Sequence, residues 1–193
     1  LQASKALFIL FLAAAGLTAG LFESVGRWVG YRWLFPKRIP YDWPNGVAYG
    51  LGHAAIESAL LVGLMQALTL LQAIQTTTTG PDALRASVSP DLVEQLLVAR
   101  EQFLGMNWYE PLWGALERIL TVPFHVAMSL VVLQVFVRRR TRWLWIAVAL
   151  HGVVDFTAPL LLHTLGVPVW GVELYMALWA ALSIRLIVWL KTG

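Results

Sequence analysis

Long apolar stretches, each interrupted by only a few polar positions, follow one another along the chain. Each is about as long as the roughly 20 residues that an α-helix needs to cross the hydrocarbon core of a bilayer. A helix is favoured there because it satisfies its own backbone hydrogen bonds without water. The pattern predicts an all-α fold, a polytopic transmembrane helix bundle with about five membrane helices. The predicted membrane segments are 3–35, 45–76, 109–137, 143–162 and 168–190.

The longest connection, residues 77–108, has a different pattern. Within it, SPDLVEQLLVAREQFLG starts with a serine suited to a helix N-cap and a proline suited to the first turn, and it continues with an amphipathic spacing. This predicts one short interfacial helix at about 90–104, lying on the membrane surface. No repeat or low-complexity tract divides the sequence, so residues 1–193 are interpreted as a single integral membrane domain.

The composition agrees with a membrane protein and excludes several functions. Apolar residues make up 59% of the chain and charged residues 13%, with a mean hydropathy of +0.68, which is too apolar for an ordinary soluble domain. The absence of cysteine excludes disulfides, thiolate metal sites and a cysteine nucleophile. The net charge of +3 comes with no basic and aromatic surface suited to nucleic acid. The lipid bilayer is therefore a predicted partner, and nucleic acid is not.

The distribution of basic residues predicts the orientation. If the helices alternate in direction, loops 36–44 and 138–142 and the C-terminus lie on one side, which the positive-inside rule identifies as cytoplasmic. We therefore expect a multi-pass protein of a prokaryotic cytoplasmic membrane with a cytoplasmic C-terminus. The arginine run is interpreted first as a topology determinant and second as a possible contact for anionic lipid. The basic residues on this side are Lys37, Arg38, Arg138, Arg139, Arg140, Arg142 and Lys191.

Four of the predicted membrane helices carry two polar residues spaced i,i+4, which places both on one helical face. An ionisable residue at the centre of a membrane helix costs about 2.5–3.5 kcal/mol on insertion scales, so such residues indicate a function. The pairs are Glu23 with Arg27, His53 with Glu57, His125 with Ser129, and His151 with Asp155.

The four pairs lie at matching depths. Counting from the predicted cytoplasmic helix ends at 1.5 Å per residue places one member of each pair about 18 Å deep and the other about 12 Å deep. One polar cavity surrounded by four helices explains this alignment. Pro123, two residues before His125, is expected to kink its helix and make room for water. The deeper members are Glu23, Glu57, His125 and Asp155, and the shallower members are Arg27, His53, Ser129 and His151.

Histidines and carboxylates in such a cavity can hold and activate water. Alternatively, His53, His125 and His151 could bind Zn²⁺ and leave one position for water. Both arrangements support hydrolysis, and both metal-dependent and metal-free catalysis stay open, because the HExxH motif is absent. The predicted catalytic residues are Glu23, His53, Glu57, His151 and Asp155, and the predicted lining or orienting residues are Arg27, His125 and Ser129.

The motifs E-S-x-x-R, Y-x-x-x-H-x-x-x-E, E-R-x(6)-H and H-x-x-x-D, on successive helices, resemble those of the YhfC-type intramembrane metalloproteases. That group is distantly similar to the superfamily of CAAX prenyl endopeptidases and bacteriocin-processing membrane proteases. The resemblance, over about 21–156, implies that Glu23 with His53 activates water and that His151 with Asp155 steadies the oxyanion.

The chain departs from the superfamily pattern in the acidic motif. Ser24 stands where the superfamily has a second glutamate, and the spacing from Glu23 to Arg27 is one residue shorter. Glu57 therefore stays an alternative to Glu23 as the general base. The superfamily also usually has further helices before this motif, and the chain starts at Leu1 without a methionine, so preceding residues are expected.

The predicted function is that of an intramembrane endopeptidase. It would hydrolyse peptide bonds of membrane-embedded or membrane-proximal substrates that enter laterally between helices. A non-catalytic scaffold subunit is one alternative, because distant superfamily relatives include a non-proteolytic subunit of the presenilin protease complex. A proton-coupled transporter is another, although no inverted repeat is evident.

Overall fold

The computed structural model describes residues 2–35, 38–87 and 89–192, and these residues form helices without a β-strand. Two π-helical segments, Glu57–Gly63 and Leu160–Thr164, directly follow α2 and α7. The all-α prediction is confirmed. The α-helices are α1 (Gln2–Leu34), α2 (Trp43–Ile56), α3 (Leu64–Thr79), α4 (Pro81–Ser87), α5 (Pro90–Gly105), α6 (Glu110–Val137), α7 (Arg142–Pro159) and α8 (Val169–Thr192).

Five helical runs in the described part of the chain are long and apolar enough to cross a membrane, which confirms a polytopic membrane protein. Their ends agree with the predicted segments because the apolar pattern stops at charged or turn-forming residues on both sides of each helix. The second run includes α2, the π-helical segment and α3. The runs are Ser4–Leu34, Trp43–Thr79, Glu110–Val137, Arg142–Thr164 and Val169–Lys191.

The connection between the second and third runs contains α5, where the sequence predicts a helix. Pro90 occupies the first turn, and the preceding Ser89 is extended, with ψ of 151°, as expected for a residue just before a helix. The short α4 was not predicted. The place of α5 at the membrane surface and the single domain spanning 1–193 both stay predictions.

The described residues divide into two compact units, and the first comprises Leu1–Ala55 and Ala115–Gly193. Its centre is α6, in which every residue from 124 to 135 is buried. A helix that is apolar and buried on all sides lies inside a bundle. Side chains from α1, α2, α7 and α8 pack against this stretch and form one apolar core.

The second unit comprises Ile56–Gly114. Within it, α3 contacts α5, and Thr76 and Val93 are buried. The threonine run at the end of α3 is compatible with a helix because its hydroxyls donate to backbone carbonyls of the preceding turn, as Thr79 does to Gln75 at 2.8 Å.

Candidate active site

Two glycine contacts in the first unit bring the site helices together. A Cβ atom at Gly20 of α1 would lie 2.6 Å from the carbonyl oxygen of Val148 and 2.7 Å from the nitrogen of Gly152 in α7. A Cβ atom at Gly50 of α2 would lie 2.6 Å from the Cα atom of Val126 in α6. Such approaches need small residues. Because each glycine lies three residues before a polar site residue, these contacts place α1 beside α7 and α2 beside α6 at the level of the site.

Glu23 and His53 form the contact between α1 and α2. The Oε2 atom of Glu23 lies 2.6 Å from the Nε2 atom of His53. About a quarter of each side chain is accessible, 23% for Glu23 and 25% for His53. This is a short, charge-assisted contact between a carboxylate and an imidazole. The pair is therefore both directly bonded and reachable from outside the unit.

Arg27, one turn after Glu23, is fully buried and connects α1 to α6. Its Nη1 atom lies 3.1 Å from the Oε2 atom of Glu23, and its Nη2 atom lies 2.8 Å from the Nδ1 atom of His125. Its Nε atom donates to the hydroxyl oxygen of Ser129 at 3.2 Å. A single guanidinium therefore bonds one predicted catalytic residue and both predicted lining residues of α6.

The three histidines lie close together in the unit. The ring centroids of His53 and His125 are 5.6 Å apart, and those of His125 and His151 are also 5.6 Å apart. The Nε2 atom of His151 lies 3.5 Å from the Oδ2 atom of Asp155. His125 and His151 are both buried. The structure thus brings together the i,i+4 pairs of α1, α6 and α7 with His53 of α2. Residues predicted at different depths also contact each other, as Glu23 of the deeper level does with His53 of the shallower level.

The hydrogen bonds constrain the histidine tautomers. Arginine has no acceptor atom, so the Nδ1 atom of His125 must accept from Arg27, and the hydrogen of the neutral ring lies on Nε2. An ionised Glu23 likewise accepts from the Nε2 atom of His53, which leaves the lone pair of that ring on Nδ1. His125 is therefore an N–H donor in this arrangement, whereas His53 keeps a basic nitrogen.

Glu57 begins the π-helical segment and is half-buried. It follows His53 by four residues on the same helical run, so the two side chains leave one face of that run about one turn apart. π-Helical turns inside longer helices frequently occur at functional sites.

The donors in the first unit fit a divalent metal ion. Glu23, His53 and His125 each offer one ligand atom, and these atoms lie within 4.8 Å of one another. Two imidazoles and one carboxylate form a donor set typical of catalytic zinc sites. Of the three histidines predicted as ligands, His53 and His125 belong to this set. The assignment of His151 as a ligand stays a prediction.

Two aromatic residues complete the site and were not predicted. Tyr31 is fully buried and donates its hydroxyl to the backbone oxygen of Ser129 at 3.0 Å. Tyr31 could have been predicted from the sequence, because it follows Arg27 by four residues and so lies on the same helical face as Glu23 and Arg27. The ring of Phe124 lies edge to face with that of His151, with centroids 5.2 Å apart. No sequence pattern of this kind indicates Phe124, which precedes His125 in an apolar segment.

Comparisons with known proteins give a family match and a similar membrane protein. The sequence model of the YhfC intramembrane metalloprotease family matches residues 1–176. The chain is 34% identical over 174 residues to the uncharacterized membrane protein YhfC of Bacillus subtilis (strain 168). This match covers 89% of the chain and 65% of the relative, so the chain spans slightly less than two thirds of that protein. No solved structure matches the chain.

Proposed function

The chain belongs to the YhfC intramembrane metalloprotease family, and from that premise we propose that it is an intramembrane endopeptidase in which Glu23 and His53 activate water. The observation that carries this proposal is the 2.6 Å contact between the Glu23 carboxylate and the His53 imidazole. The pair lies within membrane-spanning helices, where ionisable side chains are costly and usually serve a function.

Glu23 and His53 together can accept and return a proton. The carboxylate or the imidazole takes a proton from water as the water attacks the scissile carbonyl carbon, and the proton then moves to the leaving amine. Arg27 keeps the Glu23 carboxylate in place through its 3.1 Å contact. Glu57 is the alternative base, because it lies one turn after His53 on the same helical run.

The oxyanion that forms on the carbonyl oxygen needs preorganised donors. His151, oriented by Asp155 at 3.5 Å, is proposed for this role. The Nε2–H group of His125 is proposed as a second donor, because its ring centroid is 5.6 Å from that of His53 and 5.6 Å from that of His151. The proposed oxyanion donors therefore lie close to the proposed base.

A metal ion, with zinc as the proposed identity, would be held by Glu23, His53 and His125. When bound, such an ion supplies Lewis-acid polarisation of a carbonyl group. Ligation of a metal by neutral His125 would require the hydrogen bond from Arg27 to be given up. A metal on Nδ1 would use the lone pair that accepts from Arg27, and a metal on Nε2 would require the ring hydrogen to be on Nδ1.

The proposed substrates are membrane-embedded or membrane-proximal peptide segments. Glu23 and His53 are partly accessible, whereas Arg27 is fully buried. A substrate that enters laterally between helices is proposed to meet the accessible pair first. The proposed location is the cytoplasmic membrane of a prokaryote, with a cytoplasmic C-terminus.

Hydrolysis can be tested with purified protein in liposomes that contain a mixture of membrane-spanning peptides. New peptide N-termini are identified by mass spectrometry for the wild type, for Glu23→Gln and for the control Glu101→Gln, an exposed residue of α5. Products are expected with the wild type and the control, and not with Glu23→Gln. If all three proteins give the same termini, or the wild type gives none, the proposed function is wrong.

A further inference from the structure

A second cluster in the first unit combines cations with indole rings. It lies where α6 ends, α7 begins and α8 ends. The Cζ atom of Arg138 is 5.3 Å from the ring centroid of Trp143 and 6.0 Å from that of Trp189. The Cζ atom of Arg142 is 5.6 Å from the Trp143 ring. We call Arg138, Arg142, Trp143 and Trp189 the arginine–indole cluster.

Arg138 is held in one orientation but keeps unused donors. Its Nε atom donates to the Oε1 atom of Gln134 at 2.9 Å, and the two indoles lie beside its guanidinium. Its Nη1 and Nη2 atoms have no hydrogen-bond partner within the described residues. A planar guanidinium with a free pair of N–H groups matches two oxygens of a phosphate.

Within the described residues, the cations of this cluster and of the loop 138–142 also lack carboxylate partners. Elsewhere arginines pair with acids, as Arg85 does with Asp82 and Arg100 with Glu101. Asp42, the one acid of the predicted cytoplasmic loops, accepts from Asn45 instead. Among residues that the structure describes, no ion pair with a carboxylate is formed by Arg138, Arg139, Arg140, Arg142 or Lys191.

We propose that the arginine–indole cluster binds the phosphate of an anionic glycerophospholipid such as phosphatidylglycerol. The Nη groups of Arg138 donate to two phosphate oxygens, and Arg142, above the same Trp143 ring, supplies the second positive charge. The cluster lies at the ends of three apolar runs, which is the depth of lipid headgroups. A lipid bound there has its phosphate at the arginines and its acyl chains beside the apolar helices.

The proposal distinguishes two of the four arginines from the other two. Arg138 and Arg142 lie over indole rings, whereas Arg139 and Arg140 make no such contact within the described residues. Arg139 has a positive φ of 54°, which directs the loop away from helical geometry. A diffuse attraction between the basic loop and the membrane surface depends only on the number of charges. A defined site depends on which charges are removed.

The test compares two double variants that remove equal charge from the same loop, Arg138→Gln with Arg142→Gln, and Arg139→Gln with Arg140→Gln. Each protein is purified in neutral detergent and titrated with phosphatidylglycerol, phosphatidylcholine or soluble glycerol phosphate, and binding is measured by native mass spectrometry. At the energy typical of a cation near a lipid surface, the first pair should weaken phosphatidylglycerol binding about 30-fold. The second pair should weaken it less than about 3-fold.

Arg138→Lys keeps the positive charge but loses the paired N–H donors of the guanidinium. The affinity of this variant for phosphatidylglycerol should therefore lie between those of the wild type and the first double variant. Equal weakening by the two double variants overturns the proposal in favour of diffuse attraction. Equal binding of phosphatidylcholine and phosphatidylglycerol overturns the preference for an anionic headgroup. Glycerol phosphate binding as tightly as the lipid identifies a free phosphate ester, not a lipid, as the ligand.

Discussion

The Nη2 atom of Arg27 lies 2.8 Å from the Nδ1 atom of His125, inside a unit where the arginine is fully buried and the histidine nearly so. The same guanidinium contacts the Glu23 carboxylate at 3.1 Å. Arg27 therefore controls two properties of the site: the position of the proposed base and the tautomer of the central histidine. A buried cation with these contacts is a positioning residue rather than a group that reacts.

Replacing Arg27 by glutamine should misplace Glu23 and release the tautomer of His125. Removing one partner of a buried ion pair typically lowers the free energy of unfolding by about 3–5 kcal/mol, and a catalytic group displaced by about 1 Å can lower the rate about 100-fold. Thermal unfolding in detergent measures the loss of stability, and cleavage kinetics measure the loss of rate. The ¹⁵N chemical shifts of the His125 ring report its tautomer, because protonated and unprotonated ring nitrogens differ.

Arg27→Lys is the matched variant, because lysine keeps the positive charge but cannot contact Glu23, His125 and Ser129 in the fixed geometry of a guanidinium. Its stability should be closer to that of the wild type, whereas its His125 nitrogen shifts should resemble those of Arg27→Gln. Unchanged shifts in both variants would mean that Arg27 does not determine the tautomer.

Glu23→Gln and Glu57→Gln separate the two candidate bases. General-base catalysis typically contributes about 10²–10⁴-fold, so loss of the true base should reduce kcat by that factor. We expect the larger loss for Glu23→Gln, because its carboxylate contacts His53 directly. Single-turnover cleavage of a peptide identified in liposomes measures the rate. A larger loss for Glu57→Gln would transfer the role to Glu57.

Much of the fold follows from the sequence because the bilayer permits few structures. An apolar run of sufficient length forms a helix, and the ends of the five runs agree with the predicted segments. The i,i+4 spacing of Glu23 and Arg27 also predicts that both side chains share one face of α1, and the two side chains do contact each other at 3.1 Å.

The contacts between helices were harder to predict. The matching depths of the four polar pairs predicted one cavity that includes Glu23 and His53. The direct bond between these two residues depends on the rotation of each helix, which a depth count does not determine. The close approach of α1 and α7 at Gly20 depends on which glycines face another helix. Gly26 of the same helix has nothing within 4 Å of an added Cβ atom, although it lies beside the same polar pair.

Metal binding should depend on some histidines more than on others. His53 contributes a donor atom to the cluster with Glu23 and His125, so His53→Asn should lower the affinity for Zn²⁺ more than 10-fold. Even the loss of a residue that only hydrogen-bonds to a metal ligand typically lowers metal affinity by about 10-fold or more. His151→Asn should change the affinity less than about 3-fold. Competition with a chromophoric chelator measures both affinities, and elemental analysis of the purified proteins checks the metal content. Equal losses in the two variants would place His151 among the ligands.

Two glycines of α1 offer a matched test of how the site is held together. A Cβ atom at Gly20 would lie 2.6 Å from a backbone oxygen and 2.7 Å from a backbone nitrogen of α7, and backbone atoms cannot move aside as a flexible side chain can. Gly20→Ala should therefore separate α1 from α7 and lower the free energy of unfolding by about 1–3 kcal/mol, the usual cost of overpacking.

Gly26→Ala introduces the same methyl group into the same helix, but into open space. It should raise the free energy of unfolding by about 0.5–1 kcal/mol, because alanine is the better helix former. Thermal unfolding in one detergent compares the two variants. Because Gly20 lies three residues before Glu23 and its contact partner Gly152 lies next to His151, Gly20→Ala should also reduce hydrolysis, whereas Gly26→Ala should not. Equal stability of the two variants would show that the close approach of α1 to α7 at Gly20 does not determine how Glu23 and His151 are positioned.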